Sequence, residues 1–235
     1  AVRTMGSWRP VGAQGRARPL GRSGADWRRP TGQSQPRGAT APIFSARGAL
    51  DFELETAVCI GPPNKLGEPG PIAQAADHIF GLVLMNDWSA RDIQTWEYQP
   101  LGPFLAKNFC TSISPWVVTL EALEPFRKPL PAQDPPPLDY LRAPDDFTFD
   151  IRLEAQLQTA KMSAPQTITR SNFQNLYLSM AQQLDHQTAG SCNLQPGDLL
   201  ARLPDSLPGP GPRRGARAPA RTGHPHVQPP AVEHS

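Results

Sequence analysis

Residues Phe80 to Phe109, FGLVLMNDWSARDIQTWEYQPLGPFLAKNF, constrain this chain more than any other stretch. The apolar run Ile79 to Met85 has the length of a buried strand, and it delivers Asp87 at its end. Arg91, Gln94 and Lys107 follow among aromatics and prolines that would hold a loop rigid. An acid, two bases and an amide set just beyond a buried strand have the layout of an active site.

The surrounding pattern predicts a mixed, mainly β domain. Leu50 to Ile60 alternates and then becomes continuously apolar, as a strand does when it passes from a polar cleft into a core. Thr148 to Leu157 sets Phe149, Ile151 and Leu153 against Asp150, Arg152 and Glu154, a half-buried strand. Ser171 to Leu184 has Phe173, Leu176, Tyr177, Met180 and Leu184 at helical spacing and reads as an amphipathic helix capped by Ser171. Pro196-Gly197-Asp198 makes a turn into Leu199-Leu200.

Glu53 and Glu55 lie two residues apart in a predicted strand, so both carboxylates point to one face, about 7 Å apart. Alternate acids also make an ordinary solvated strand face. Asp87, a third acid at the end of another apolar strand, favours a site. Hard oxygen ligands of this kind select Mg²⁺ or Ca²⁺ over a soft metal.

Charge divides the chain into 1–47, 48–201 and 202–235. Residues 1–47 carry nine Arg, no Lys and one acid, Asp26; residues 202–235 carry five Arg, no Lys and two acids, Asp205 and Glu233. Residues 48–201 hold nine bases against eighteen acids, so the whole-chain balance of +2 describes the ends. Arg-, Gly- and Pro-rich ends bury little apolar surface, and both are expected to be poorly ordered. Neither interleaves aromatics with Arg as a nucleic-acid platform would, so no nucleic-acid partner is expected. Cys59, Cys110 and Cys192 have neither CxxC nor paired spacing, which fits a reducing compartment. No stretch approaches the ~18 apolar residues of a membrane helix, and a cytoplasmic, membrane-free protein is expected.

Several blocks resemble the fumarylacetoacetase family, hydrolases that cleave a carbon–carbon bond at the end of tyrosine and phenylalanine degradation. They are Asp51-Phe52-Glu53-Leu54-Glu55, Leu66-Gly67-Glu68-Pro69, the run Met85 to Gln94, Pro100 to Phe104, and Pro196 to Ala201, in the family's order. Trp96-Glu97-Tyr98 followed by Pro-Leu-Gly-Pro-Phe narrows the likeness within the wider superfamily. Weaker matches fall at Pro10 to Arg16 and Arg28 to Gln33. The resemblance implies a fumarylacetoacetase-like C-terminal catalytic domain over 48–201, truncated at both ends. It makes Glu53, Glu55 and Asp87 metal ligands, with Lys107 and Thr111 at or beside the Mg²⁺ or Ca²⁺ region. Arg91, Gln94 and Lys107 become the catalytic donors, and Arg91, Gln94 and Tyr98 contact substrate. The implied substrate is a small diketo acid, 4-fumarylacetoacetate, and the implied assembly is a homodimer.

Other family features find no counterpart. The family's water-activating His and a further Asp ligand belong to a segment that would precede residue 1, and a substrate-contacting Tyr position holds Ala13. After Ala201 the family's Gly-Thr-Ile-Ser-Gly segment is replaced by Arg202-Leu203-Pro204 and an Arg/Pro tail. A chain without that His is expected to show negligible hydrolase activity, which opens the alternative of a non-catalytic fragment or pseudoenzyme.

Overall fold

The computed structural model describes residues 13–14, 20–69, 72–98, 102–143 and 146–202. Its strands are β1 (Ala13–Gln14), β2 (Leu20–Arg22), β3 (Thr31–Ser34), β4 (Ile43–Ala46), β5 (Leu50–Asp51), β6 (Leu54–Ile60), β7 (Ile79–Asp87) and β8 (Ser89–Ala90). There follow β9 (Thr111–Ile113), β10 (Val118–Thr119), β11 (Arg127–Pro129), β12 (Phe147–Phe149), β13 (Arg152–Leu157), β14 (Gln166–Asn172) and β15 (Leu199–Arg202). The α-helices are α1 (Arg91–Glu97), α2 (Leu120–Leu123) and α3 (Met180–Thr188). The mainly β expectation holds.

The principal sheet runs β1-β15-β6-β7-β9-β2, with β10 also on β7. Its pairs are antiparallel except β2–β9. The apolar character of β6 follows from burial on both faces, while β7 buries Ile79, Leu82, Val83 and Met85 and leaves Phe80 and Leu84 exposed. On one face Val58, Ile60, Leu82 and Leu200 join Phe149, Leu153, Phe173, Met180 and Leu184 in the main core. On the other, Ala57, Val83, Met85, Leu199 and Ala201 form a smaller cluster. Register places Glu55 opposite Met85 and Asp87 opposite Thr111, so both acids extend that second face toward the strand ends.

Gly81 is needed where β10 crosses β7, because a Cβ there would lie 2.4 Å from the Val118 carbonyl oxygen. Helix α3 is tied to the sheet by Gln183 Nε2, which donates to the Ala201 carbonyl at 3.0 Å.

Three sequence expectations need correction. The strand expected over Leu50 to Ile60 breaks at residues 52–53, because the Glu53 N–H donates to the Asn86 side chain at 3.1 Å while its carbonyl takes the Asp87 N–H at 3.3 Å. The strand expected over Thr148 to Leu157 is two strands, parted where Asp150 turns its N–H to the Phe126 carbonyl and its carboxylate to Asn172. The helix expected over Ser171 to Leu184 begins only at Met180. Ser171 lies in β14, and the N-cap is Ser179, in a reciprocal capping box with Gln182.

Residues 20–47, expected to belong to a poorly ordered arm, carry β2, β3 and β4. Arg47, 1% exposed, organises this hairpin: its guanidinium donates to Ser34 Oγ at 2.6 Å, to the Ser45 carbonyl at 2.8 Å and to Ser45 Oγ. An arginine satisfied in this way is a structural group rather than part of a solvated basic patch. Of the expected tail over 202–235, Arg202 closes β15, and residues 203–235 lie outside the described residues.

Candidate active site

The acids meet where β5, β6 and β7 end. Lys107, from the loop after α1, places its Nζ 2.5 Å from Glu53 Oε2 and 3.0 Å from Asp87 Oδ2. Those two oxygens are thus no further apart than the two contacts laid end to end. Thr111 Oγ1 donates to the other Asp87 oxygen at 3.2 Å. Arg91, the first residue of α1, reaches the cluster from the opposite side. Its Nη2 is 3.0 Å from Glu53 Oε1, its Nε donates to Asp51 Oδ2 at 3.0 Å, and its Nη1 donates to Gln94 Oε1 at 2.8 Å. Glu53 is therefore held between an ammonium and a guanidinium.

Helix α1 is short, and its position is fixed by polar contacts around it. Asp92 Oδ2 accepts the Gly48 N–H at 3.1 Å and lies 3.8 Å from the Arg47 guanidinium. The Arg91 N–H donates to the Ala49 carbonyl at 2.8 Å. Ile93 is buried with Ala90 and Ala106 in a small core, where Gly32 of β3 lets its Cδ1 approach. Tyr98 follows α1, its N–H donating to the Gln94 carbonyl at 3.0 Å.

Glu55 is the least compensated group. It is 6% exposed, and its Oε2 has no hydrogen-bond partner. Burial first, then the charges of Glu53 and Asp87, push its carboxyl up to about 8, against a smaller downward pull from Lys107. Burial likewise raises Asp87, opposed chiefly by Lys107. A buried acceptor oxygen without a donor, next to two further carboxylates, is the donor chemistry that a hard divalent cation satisfies. Protonation of Glu55 is the alternative way to relieve the same cost. Among the described residues, no group of three or more His, Cys, Asp or Glu side chains is arranged to enclose an ion. The expected cage of Glu53, Glu55 and Asp87 is not closed, because the Lys107 ammonium takes the position between Glu53 and Asp87.

The fumarylacetoacetate (FAA) hydrolase C-terminal family model matches residues 7–202. The chain belongs to this family. It is 57% identical over 192 residues to the fumarylacetoacetase of Bos taurus, covering 82% of this chain and 46% of that protein. It is 56% identical over 191 residues to the fumarylacetoacetase of Arabidopsis thaliana, covering 81% of this chain and 45% of that protein. The chain thus spans about half the length of the curated relatives it matches. Among solved structures, that of Cg1458 with inhibitor aligns at TM-score 0.47 with 21% identity, covering 70% of this chain and 57% of that one.

Glu53, Asp87, Arg91, Gln94, Lys107 and Thr111 form one connected network, and Glu55 feels its charges. Arg91 pairs with Asp51 and Glu53 rather than with its neighbour Asp92. Asp51 and Asn86 are site-building residues the sequence reading gave no role. Asp51 lay inside a matched block, and Asn86 sat beside the acid, but only the fold shows which atoms they bind. His78 and His186 serve elsewhere, contacting the Pro62 carbonyl and the Tyr140 hydroxyl, each at 2.8 Å.

Proposed function

We propose that this chain acts in the hydrolysis of 4-fumarylacetoacetate to fumarate and acetoacetate, as a hydrolase of carbon–carbon bonds in tyrosine and phenylalanine degradation. The observation that carries this reading is the gathering of Arg91 and Lys107 around Glu53, with Asp87 and the unsatisfied Glu55 alongside. That arrangement has both kinds of charge the reaction needs. The relatives named above are fumarylacetoacetases, which favours the enzyme over a non-catalytic relative.

In the reaction, the oxygen of water bonds to the carbonyl carbon on the fumaroyl side. The carbon–carbon bond breaks with its electron pair passing to the acetoacetate carbon, which takes up the proton that the attacking water gives up. Negative charge grows on the carbonyl oxygen and then on the leaving enolate. Arg91, Gln94 and Lys107 are the donors placed for that charge, and preorganised donors of this kind supply a large share of an enzyme's rate enhancement. Asp51 and Glu53 hold Arg91 in place before substrate arrives. Tyr98, beside Gln94 in the chain turn that ends α1, is assigned to the substrate's carboxylate or carbonyl.

Glu53, Glu55 and Asp87, with Lys107 and Thr111 beside them, would hold Mg²⁺ or Ca²⁺. When bound, such an ion supplies a fixed positive charge that polarises the diketone oxygens. A homodimer is supported by the exposed apolar side chains of Leu84, Trp116 and Val118 on and beside β7 and β10. A cytoplasmic setting is supported by free cysteines Cys59, Cys110 and Cys192, and no described helix is long and apolar enough to cross a membrane.

The deciding experiment follows the loss of fumarylacetoacetate absorbance with the purified chain, with Mg²⁺ or Ca²⁺ and with EDTA. Ion-dependent loss that disappears in Asp87→Ala supports the reading. Loss that is equal in both, or no loss at any ion concentration, tells against it.

A further inference from the structure

We propose that Glu97 is the positioning residue that sets Lys107 in the acid cluster, an inference that rests on reading this cluster as the hydrolase site. Glu97 is the last residue of α1. Its Oε1 accepts the backbone N–H of Phe104 at 2.6 Å and of Ala106 at 2.8 Å, and its Oε2 accepts that of Leu105 at 3.2 Å. Successive amides turned toward one carboxylate form an anion-binding concavity in the backbone, here filled by the protein's own side chain. The next residue is Lys107.

The turn is completed by the N–H groups of Lys107 and Asn108, which both donate to the Phe104 carbonyl, at 3.1 and 3.0 Å. The Ala106 carbonyl in turn accepts the Ala90 N–H at 2.9 Å, just before α1 begins. Apolar packing does little to hold this segment in place, since Phe104 and Leu105 are each 53% exposed and only the small Ala106 is buried. The carboxylate of Glu97 is therefore the main tether on the residues that precede Lys107.

Helix α1 thereby fixes both cations of the site. Arg91 stands at its first position and grips Glu53 and Asp51 directly, with Gln94 one turn on accepting from the guanidinium. Glu97, a further turn on, holds the loop whose Lys107 grips Glu53 from the other side. The separation of guanidinium and ammonium across Glu53 is set through one rigid element. A glutamine at 97 could still accept from Phe104 and Ala106 through its single oxygen but would turn an NH₂ toward the Leu105 N–H. Alanine removes all of these contacts.

The test uses the purified chain, ion-free, with two readouts that need no turnover. Acetic anhydride labelling is read by peptide mass spectrometry, with Lys65, 82% exposed, as internal reference for Lys107, whose side chain is 19% exposed. Hydrogen exchange is read at Phe104, Leu105 and Ala106. In Glu97→Ala, Lys107 labelling relative to Lys65 and exchange at these amides should each rise about 10- to 100-fold, as expected for losing charge-assisted hydrogen bonds. Glu97→Gln should raise exchange chiefly at Leu105 and restore most of the protection of Lys107. Where turnover is measurable, kcat should fall with KM held, the pattern of a misplaced transition-state donor. A Glu97→Ala protein that melts normally and keeps wild-type labelling and exchange overturns the proposal. Should Glu97→Ala not fold, Glu97→Gln decides, and unchanged Leu105 exchange in it overturns the proposal equally. Absence of turnover in the wild-type chain counts against the hydrolase reading alone and leaves both structural readouts in force.

Discussion

Lys107 Nζ stands 2.5 Å from Glu53 Oε2, in a pair whose side chains are 19% and 16% exposed. At that burial, solvent screening is weak and removing one partner leaves a carboxylate inadequately compensated. Lys107→Met is expected to lower the stability of the ion-free chain by about 2–3 kcal/mol. Because an ion would take over the lost charge, Mg²⁺ should restore more stability to the variant than to the parent. Urea denaturation in EDTA and in Mg²⁺ reads this directly. Equal losses in the two conditions would mean that no ion binds beside Glu53.

Glu55 makes a prediction about pH. Its carboxyl ordinarily titrates at 4.5 and is pushed up to about 8 in the fold. The folded chain therefore holds a proton there that the unfolded chain has lost. The stability this provides is fully present below about pH 4.5 and is lost as pH rises to about 8. Melting temperature of the ion-free chain should fall across that window. Glu55→Gln, uncharged throughout, should flatten this decline and be the more stable chain at pH 8. A variant whose curve parallels the parent's would sink the assignment.

Arg91 uses its guanidinium in separate directions, toward Asp51, Glu53 and Gln94. A lysine offers a point charge and cannot reproduce that fork. Arg91→Lys is expected to leave the melting temperature within a few degrees, since the side chain is 36% exposed, and to reduce kcat/KM about 100-fold as one preorganised donor is lost. Steady-state kinetics on fumarylacetoacetate, beside a melting curve, separates the two effects. Retained kcat/KM would remove Arg91 from the catalytic set.

Ser179→Ala tests the main core rather than the site. Ser179 accepts the Gln182 N–H at 3.1 Å, receives the Gln182 side chain on its own N–H at 3.0 Å, and donates to Asp146 at 2.5 Å. Losing this cap should cost about 1–2 kcal/mol in a denaturant titration, with activity per folded molecule unchanged. A change under a few tenths would show that this cap contributes little to holding α3.

How far the sequence could be read depended on whether burial or contact geometry defined the feature. The strand that carries Asp87 is legible because its residues 79–85 are apolar throughout, most of them buried in the sheet. In sequence the helix around Met180 starts too early because Phe173, Leu176, Met180 and Leu184 all face the main core. Helical spacing thus extended across a strand end and a 3-10 turn. The decisive signal was present as Ser179-Met180-Ala181-Gln182, the pattern of a capping box. In the site, the acids and cations stand out as residue types and as family blocks. Asp51 and Glu97 do not, since Asp51 is forty positions from Arg91 in sequence and Glu97 acts on backbone amides, which leave no mark on composition. Arg47 reads as part of a basic arm because nothing local shows that Ser34 and Ser45 enclose it.

The flanking of β6 by β7 on one side and β15 on the other also sets an order of events during synthesis. The hairpin of β6 with β7 can form as soon as residue 87 emerges, but the other edge of β6 must wait for residues 199–202, which pair with Thr56 to Cys59. At ribosomal speeds of about 5–20 residues per second, that delay is roughly 6–23 s. Throughout it, the strand leading from Glu55 presents open backbone and apolar side chains to whatever lies nearby, a surface suited to chaperones and to wrongful pairing alike. For this fold, the yield of native molecules is decided as much by how that nascent edge is shielded as by the stability of the finished sheet.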